Sequence, residues 1–100
     1  MKLTGKCKKD FREFYNNRPI NGVYHTDYSV FMSKTISEQI GVYVDFFDSV
    51  KIYIEIMPFE GKSFYWLIND NQMNEGETYT RPEARTAAIE KANEIYNNAH

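Results

Sequence analysis

Along the first seventeen positions apolar residues recur with a helical rhythm. Cys7, Phe11, Phe14 and Tyr15 stand at i, i+4, i+7 and i+8, which gathers them on one face of a helix over 4–15. Thr4 is suited to the N-cap, and Pro19 ends the segment because the residue before a proline avoids helical geometry. Positions 19–34 are polar and aromatic without a clear period, and read as a loop with a short extended piece at Tyr28–Met32. The stretch 35–48 supports two readings. Val42, Val44 and Phe46 alternate as in a strand, whereas Ile36, Ile40, Tyr43, Val44 and Phe47 share a face at about 100° per residue. The helical pattern accommodates more residues, sets Glu38 and Asp45 on the opposite face, and gives Thr35 and Glu38 capping-box spacing. It predicts a helix with Ile36, Ile40, Tyr43 and Phe47 buried together.

From Val50 the period changes to two. Val50, Ile52, Ile54 and Ile56 alternate with Lys51, Tyr53, Glu55 and Met57, as in a strand buried on one face. Pro58 to Gly61 turns the chain, and Ser63–Asn69 returns with Phe64, Trp66 and Ile68 alternating against Tyr65 and Leu67. Asp70–Gly76 reads as a loop and Glu77–Thr80 as an optional third strand. Thr80 and Glu83 repeat the capping-box spacing around Pro82, a residue tolerated in a first helical turn. The helix that follows has a narrow apolar stripe of Ala84, Ala88, Ala92, Ile95 and Ala99, small enough to lie close against the Ile-rich sheet face. The expected fold is α+β, in the order α-α-β-β-(β)-α, with the helices on one face of a small antiparallel sheet. Residues 1–100 form a single globular domain in this reading, since no repeat or linker divides them.

Composition narrows the possible functions. Aromatic residues at 16% argue against disorder, and the longest apolar runs fall far short of the roughly 20 residues that span a bilayer. The basic start has no apolar stretch behind it and predicts no signal peptide. A single cysteine excludes an internal disulfide and fits a reducing compartment, so the expected location is cytoplasmic.

Three segments also carry a resemblance: Leu3 to Phe11, Gly41 to Ser49, and Glu83 to Asn97. Together they resemble short proteins of unknown function from phage and mobile-element genomes of gut bacteria. The resemblance implies a setting and no site residues.

Catalytic and metal chemistry find little to build on. His25, His100 and Cys7 fall in different elements without ligand spacing, which predicts no metal, and no cofactor motif is present. The five glycines stand apart, so no phosphate-cradling loop exists. Cys7 sits on the apolar face of the first helix and reads as a small hydrophobe. The remaining catalytic option is a carboxylate group of Asp45, Asp48 and Glu55, set against the plainer reading of a solvated helix flank. The expectation leans away from an enzyme.

Charge and surplus apolar surface point instead to binding. Residues 1–18 carry six basic and two acidic side chains, while the rest carry six basic and twelve acidic. A basic end on an acidic body attracts an anionic partner or pairs with a second copy of itself. Lys8, Lys9 and Arg12 beside Phe11 and Tyr15 are the candidate polyanion contact, although a pI of about 5.6 disfavours nucleic acid. If the isoleucines face the helices, Tyr53 and Met57 face away, and either Phe64, Trp66 and Ile68 or Tyr65 and Leu67 join them. The preferred register makes Tyr53, Met57, Tyr65 and Leu67 the candidate interface. Either the 19–34 loop or a protein partner, in a homodimer for instance, then covers that face. The expected function is a non-catalytic, self-associating protein-interaction module, with polyanion binding as the alternative. Arg85 falls inside the apolar arc of the last helix and near its N-terminus, where a cation is misplaced. It either lays its stem along apolar surface or pairs with Asp45, Asp48 or Glu55.

Overall fold

The first helix, α1 (Gly5–Asn16), forms where the i, i+4, i+7 pattern places it, and buries Cys7, Phe11 and Tyr15. The computed structural model describes residues 2–17, 19–20, 23–24 and 28–100, and the side chains of 18–29 lie outside that description. Two short strands, β1 (Pro19–Ile20) and β2 (Val23–Tyr24), pair antiparallel and lead into α2 (Tyr28–Met32). Then come α3 (Ile36–Ser49), the meander β3 (Tyr53–Phe59), β4 (Ser63–Asn69) and β5 (Met73–Thr78), and finally α4 (Arg81–Ala99). The main sheet has the antiparallel order β3-β4-β5, and α4 lies across all three strands with α3 against β3. The fold is therefore α+β, with a three-stranded sheet.

Both capping boxes form. The backbone N–H of Glu38 donates to Thr35 Oγ1 at 3.2 Å, and that hydroxyl donates to Glu38 Oε1 at 3.0 Å. Thr80 and Glu83 repeat the arrangement at 3.3 and 2.8 Å. These caps satisfy backbone donors that a helix start would otherwise leave unpaired. Thr4 behaves differently, since its side chain makes no cap bond to α1. The cap comes from α4 instead: Cys7 N–H donates to Asn97 Oδ1 at 2.8 Å, and Asn97 Nδ2 donates to the Thr4 carbonyl at 3.0 Å. Asn93, one turn earlier, accepts from Thr4 N–H at 2.9 Å and donates to Thr4 Oγ1 at 3.0 Å. Gly5 permits this approach, because its φ is +60° and a Cβ there would lie 3.2 Å from the Asn97 side chain.

Four expectations need correcting. Tyr28–Met32 is a short helix rather than an extended piece, and its Phe31 is fully buried among the rings of Phe11, Tyr15 and Tyr43. In α3, Ile40, Tyr43 and Phe47 are buried and Glu38 and Asp45 exposed as expected. Ile36, however, is 58% exposed at the first turn, beyond the reach of the core, and Phe46 is buried in addition. Strand β3 runs on through Pro58, which an edge strand tolerates, so the hairpin turns later, at Glu60 and Gly61, both with positive φ. The loop after β4 is shorter than expected because Met73 already belongs to β5. Gly76 is therefore a strand residue: it lies under the Trp66 indole, where a Cβ would meet Nε1 at 2.4 Å.

Register sorts the sheet into two faces. Ile54, Ile56, Phe64, Trp66 and Ile68 occupy the face that carries the helices, and Ile68 is fully buried. On the helical side Phe11 is central, with ring centroids 4.9 Å from Phe31 and Tyr43 and 5.5 Å from Phe46.

Candidate protein-interaction face

Strand alternation gives the outer face of the sheet its residues in cross-strand rows. Tyr53, Asn69 and Met73 form one row; Glu55, Leu67 and Glu75 the next; Met57, Tyr65 and Glu77 the third; Phe59 and Ser63 close it. All four sequence-predicted interface residues, Tyr53, Met57, Tyr65 and Leu67, share this face. Phe59 and Met73 join them, extending the patch at both ends. Tyr53 is 50% exposed, Met57 39%, Phe59 45% and Met73 63%, while Tyr65 and Leu67 are half-buried. The Phe59 and Tyr65 rings lie 5.9 Å apart. Every charged residue in the three strands is a glutamate on this face: Glu55, Glu75 and Glu77. Ser63 Oγ donates to Glu77 at 2.9 Å, and Glu75 accepts the hydroxyl proton of Tyr65, holding that phenol above its ordinary value.

The patch is small. Seven-residue strands rising about 3.3 Å per residue, and three of them about 4.8 Å apart, give roughly 23 by 14 Å, or about 300 Å². That matches the functional patches of small proteins and falls short of the ~800 Å² per partner of a standard stable interface. The 19–34 segment does not account for it in its described part: Phe31 goes into the aromatic cluster of α1 and α3. Residues 21–22 and 25–27 lie outside the described residues.

The basic residues of α1 gather separately. Lys8, Lys9 and Arg12, with Gly5, Glu13 and Asn16, line one open hollow of about 330 Å³ on the exposed side of the helix. Lys6 is occupied elsewhere, in an ion pair with Asp10 at 2.9 Å. Asp10 also accepts a short hydrogen bond from the Tyr96 hydroxyl, which ties α1 to α4. That bond, then Lys6, holds the Asp10 carboxyl below its usual range. Burial, and then the same bond, pushes the Tyr96 phenol up.

The pair carries a pH signature. Asp10, depressed in the fold, contributes stability that is present above its unfolded value of about 4 and is lost as pH falls through the folded value. Tyr96, raised in the fold, contributes stability that is complete below its unfolded value of about 10 and is lost as pH rises through the folded one. Tyr96→Phe should therefore cost about 1.5–3 kcal/mol near neutrality, the range for a hydrogen bond to a charged group. It should also flatten both the acid and the alkaline limbs of urea midpoint against pH. Unchanged limbs in that titration would refute the linkage.

Asp45, Asp48, Glu55 and Arg85 are not brought together. Asp45 and Asp48 stand a turn apart on α3, and partial burial, then the Asp45 charge, raises the Asp48 carboxyl. Glu55 occupies an outward strand position, away from the face the helices cover, so alternation itself separates it from the α3 pair. Arg85 is half-buried and makes no hydrogen bond or ion pair with any of the three. The cation that finds a partner near this helix start is Arg81, whose guanidinium lies 4.9 Å from the centroid of the Phe64 ring.

Other reactive groups are similarly placed. Cys7 is fully buried, and its thiol is pushed up to about 12 by burial and by Asp10, which removes it from thiolate chemistry. The His100 ring stacks on Tyr96 at 4.2 Å, and His25 lies outside the described residues. Among the described residues no group of three His, Cys, Asp or Glu could hold a metal, and no helix is long and apolar enough to cross a membrane. A hollow of about 440 Å³ opens between Lys51, Tyr53, Asp70, Asn71, Ile95 and His100, and no serine, threonine or cysteine lines it. Compared with family profiles, with curated proteins and with solved structures, the chain matches none.

Proposed function

We propose that the protein is a non-catalytic interaction module that docks a protein partner, a second copy of itself included, on the open face of its sheet. The observation that carries this reading is the register: Tyr53, Met57, Phe59 and Met73 all point outward from one face and are about two-fifths to two-thirds exposed. A small sheet covered by helices on one side ordinarily shows water a polar second face. Several large apolar side chains exposed together on one sheet face commonly mark a contact. A second exposed apolar group, Val30, Met32 and Ile36, sits at the α2–α3 junction beside the segment outside the description, and has no such shared register.

Light scattering across a concentration series tests the reading. The mass of the native chain should rise with concentration, and Tyr53→Asp should hold it at one chain. Because that position is exposed, the substitution should cost the fold no more than about 1 kcal/mol. A native chain that stays monomeric throughout, or a variant that associates as well as the parent, would refute it. Polyanion binding through Lys8, Lys9 and Arg12 is the second reading, favoured by their shared hollow. It predicts oligonucleotide binding with a steep salt dependence, and loss of that binding in Lys8→Glu with Lys9→Glu.

A further inference from the structure

We infer that the outer sheet face takes the basic face of α1 from a second copy of the chain, so that copies join head to tail. The inference rests on the docking role proposed above and specifies its occupant. Three carboxylates, Glu55, Glu75 and Glu77, share the sheet face with no strand cation to balance them. Two copies meeting sheet to sheet would bring six carboxylates together across one contact. Like charges at that spacing oppose the symmetric pairing.

The complementary surface is on the same chain. Lys8 and Lys9 are exposed and form no ion pair among the described residues, and they share one hollow with Arg12 on the outward side of α1. At 12 residues, α1 is about 18 Å long, which fits along the roughly 23 Å face. The two surfaces cannot meet within one molecule. Asn93, Tyr96 and Asn97 hold α1 to α4, while α4 lies on the inner face of the sheet, so the outer face looks away from α1. Contact between copies must therefore be heterologous, and an unclosed contact of that kind propagates.

Chemistry suits the pairing as well. Lysine stems lie along apolar surface while their heads reach charge, which fits ammonium groups crossing Tyr53, Met57 and Tyr65 toward the glutamates. The chain already makes one such contact internally, Arg81 over Phe64.

The test uses two charge reversals, Lys8→Glu with Lys9→Glu, and Glu55→Lys with Glu75→Lys, all at exposed positions. Sedimentation of the native chain should show mass rising with concentration and falling as salt increases from about 0.05 to about 0.5 M, where screening shortens to a few ångströms. Each double variant alone should associate at least ~10-fold more weakly. Mixed in equal amounts, the two should recover assembly, because each supplies the complement the other lost. If Tyr53→Asp dissociates the native assembly but Lys8→Glu/Lys9→Glu does not, the sheet face docks something other than α1 and this inference fails while the docking role stands. A native chain that stays monomeric overturns both. A monomer that binds a random single-stranded oligonucleotide, and loses it in Lys8→Glu/Lys9→Glu, overturns both in favour of a polyanion surface.

Discussion

Phe11→Ala should destabilise the protein by about 3–5 kcal/mol, the range for removing a fully buried aromatic ring. Phe11 is fully buried, and its ring lies within 6.4 Å, centroid to centroid, of Phe14, Tyr15, Phe31, Tyr43 and Phe46. Those neighbours come from α1, α2 and α3, so one ring holds three elements together. Most of them are tilted or edge-on to it, the arrangement in which aromatic pairs gain about 0.5–1.5 kcal/mol each beyond burial. The cavity would not collapse easily, because its walls are rigid rings anchored on separate helices. Against a total stability of about 5–15 kcal/mol for a domain of this size, the loss should lower Tm by ~15 °C or more. Phe14→Ala removes a ring only partly buried at the same cluster, and should cost less than half as much. Thermal melts of the two variants compare them directly, and equal losses would mean that Phe11 is not the centre of the core.

The periodicities behind that cluster were legible in the sequence because each is carried by large residues. Cys7, Phe11 and Tyr15 mark one face of α1 without ambiguity, and for α3 the helical spacing accommodates more apolar residues than the strand reading, with Thr35 and Glu38 in support. Alternation in Tyr53–Met57 sends Tyr53 and Met57 away from the helices but leaves two sets open on the returning strand, and the strand register is what puts Tyr65 and Leu67 beside them. The misses have physical reasons. Strand β5 has Met73 as its only large apolar residue, and its inward position Gly76 is small because Trp66 fills the space across the strand pair, a tertiary cause that local pattern does not contain. Pro58 looked like a turn because its missing N–H matters only in a strand paired on both sides, and β3 is an edge. Phe31 looked like part of a loop since one buried ring in a five-residue helix makes no period. Glu55 is close to Asp45 and Asp48 in sequence, but strand alternation sends it to the outer face of the sheet while the two aspartates stay on α3.

Asn97→Ala should cost about 2–3 kcal/mol, although a residue three from the end of a terminal helix is ordinarily tolerant of change. Its amide does two jobs on α1 at once: Oδ1 accepts from Cys7 N–H at 2.8 Å and Nδ2 donates to the Thr4 carbonyl at 3.0 Å. Cys7 occupies the third position of α1, where a helix has no carbonyl of its own to offer and a side-chain cap normally serves. Here the N-cap hydroxyl of Thr4 is engaged by Asn93 at 3.0 Å, so nothing local replaces the amide once it is gone. Removing it strands a partly buried donor, which costs more than the net worth of the bond. The loss should be larger than that of Asn93→Ala, whose two bonds end on exposed groups that water can satisfy. Asn97→Asp separates the two contributions: the carboxylate still accepts from Cys7 N–H and is favoured near a helix N-terminus, but it opposes the Thr4 carbonyl instead of donating to it. It should fall between Asn97→Ala and the native chain in urea stability. Hydrogen exchange at the Cys7 amide should accelerate in Asn97→Ala, and slow exchange there would show that α1 is capped by some other group.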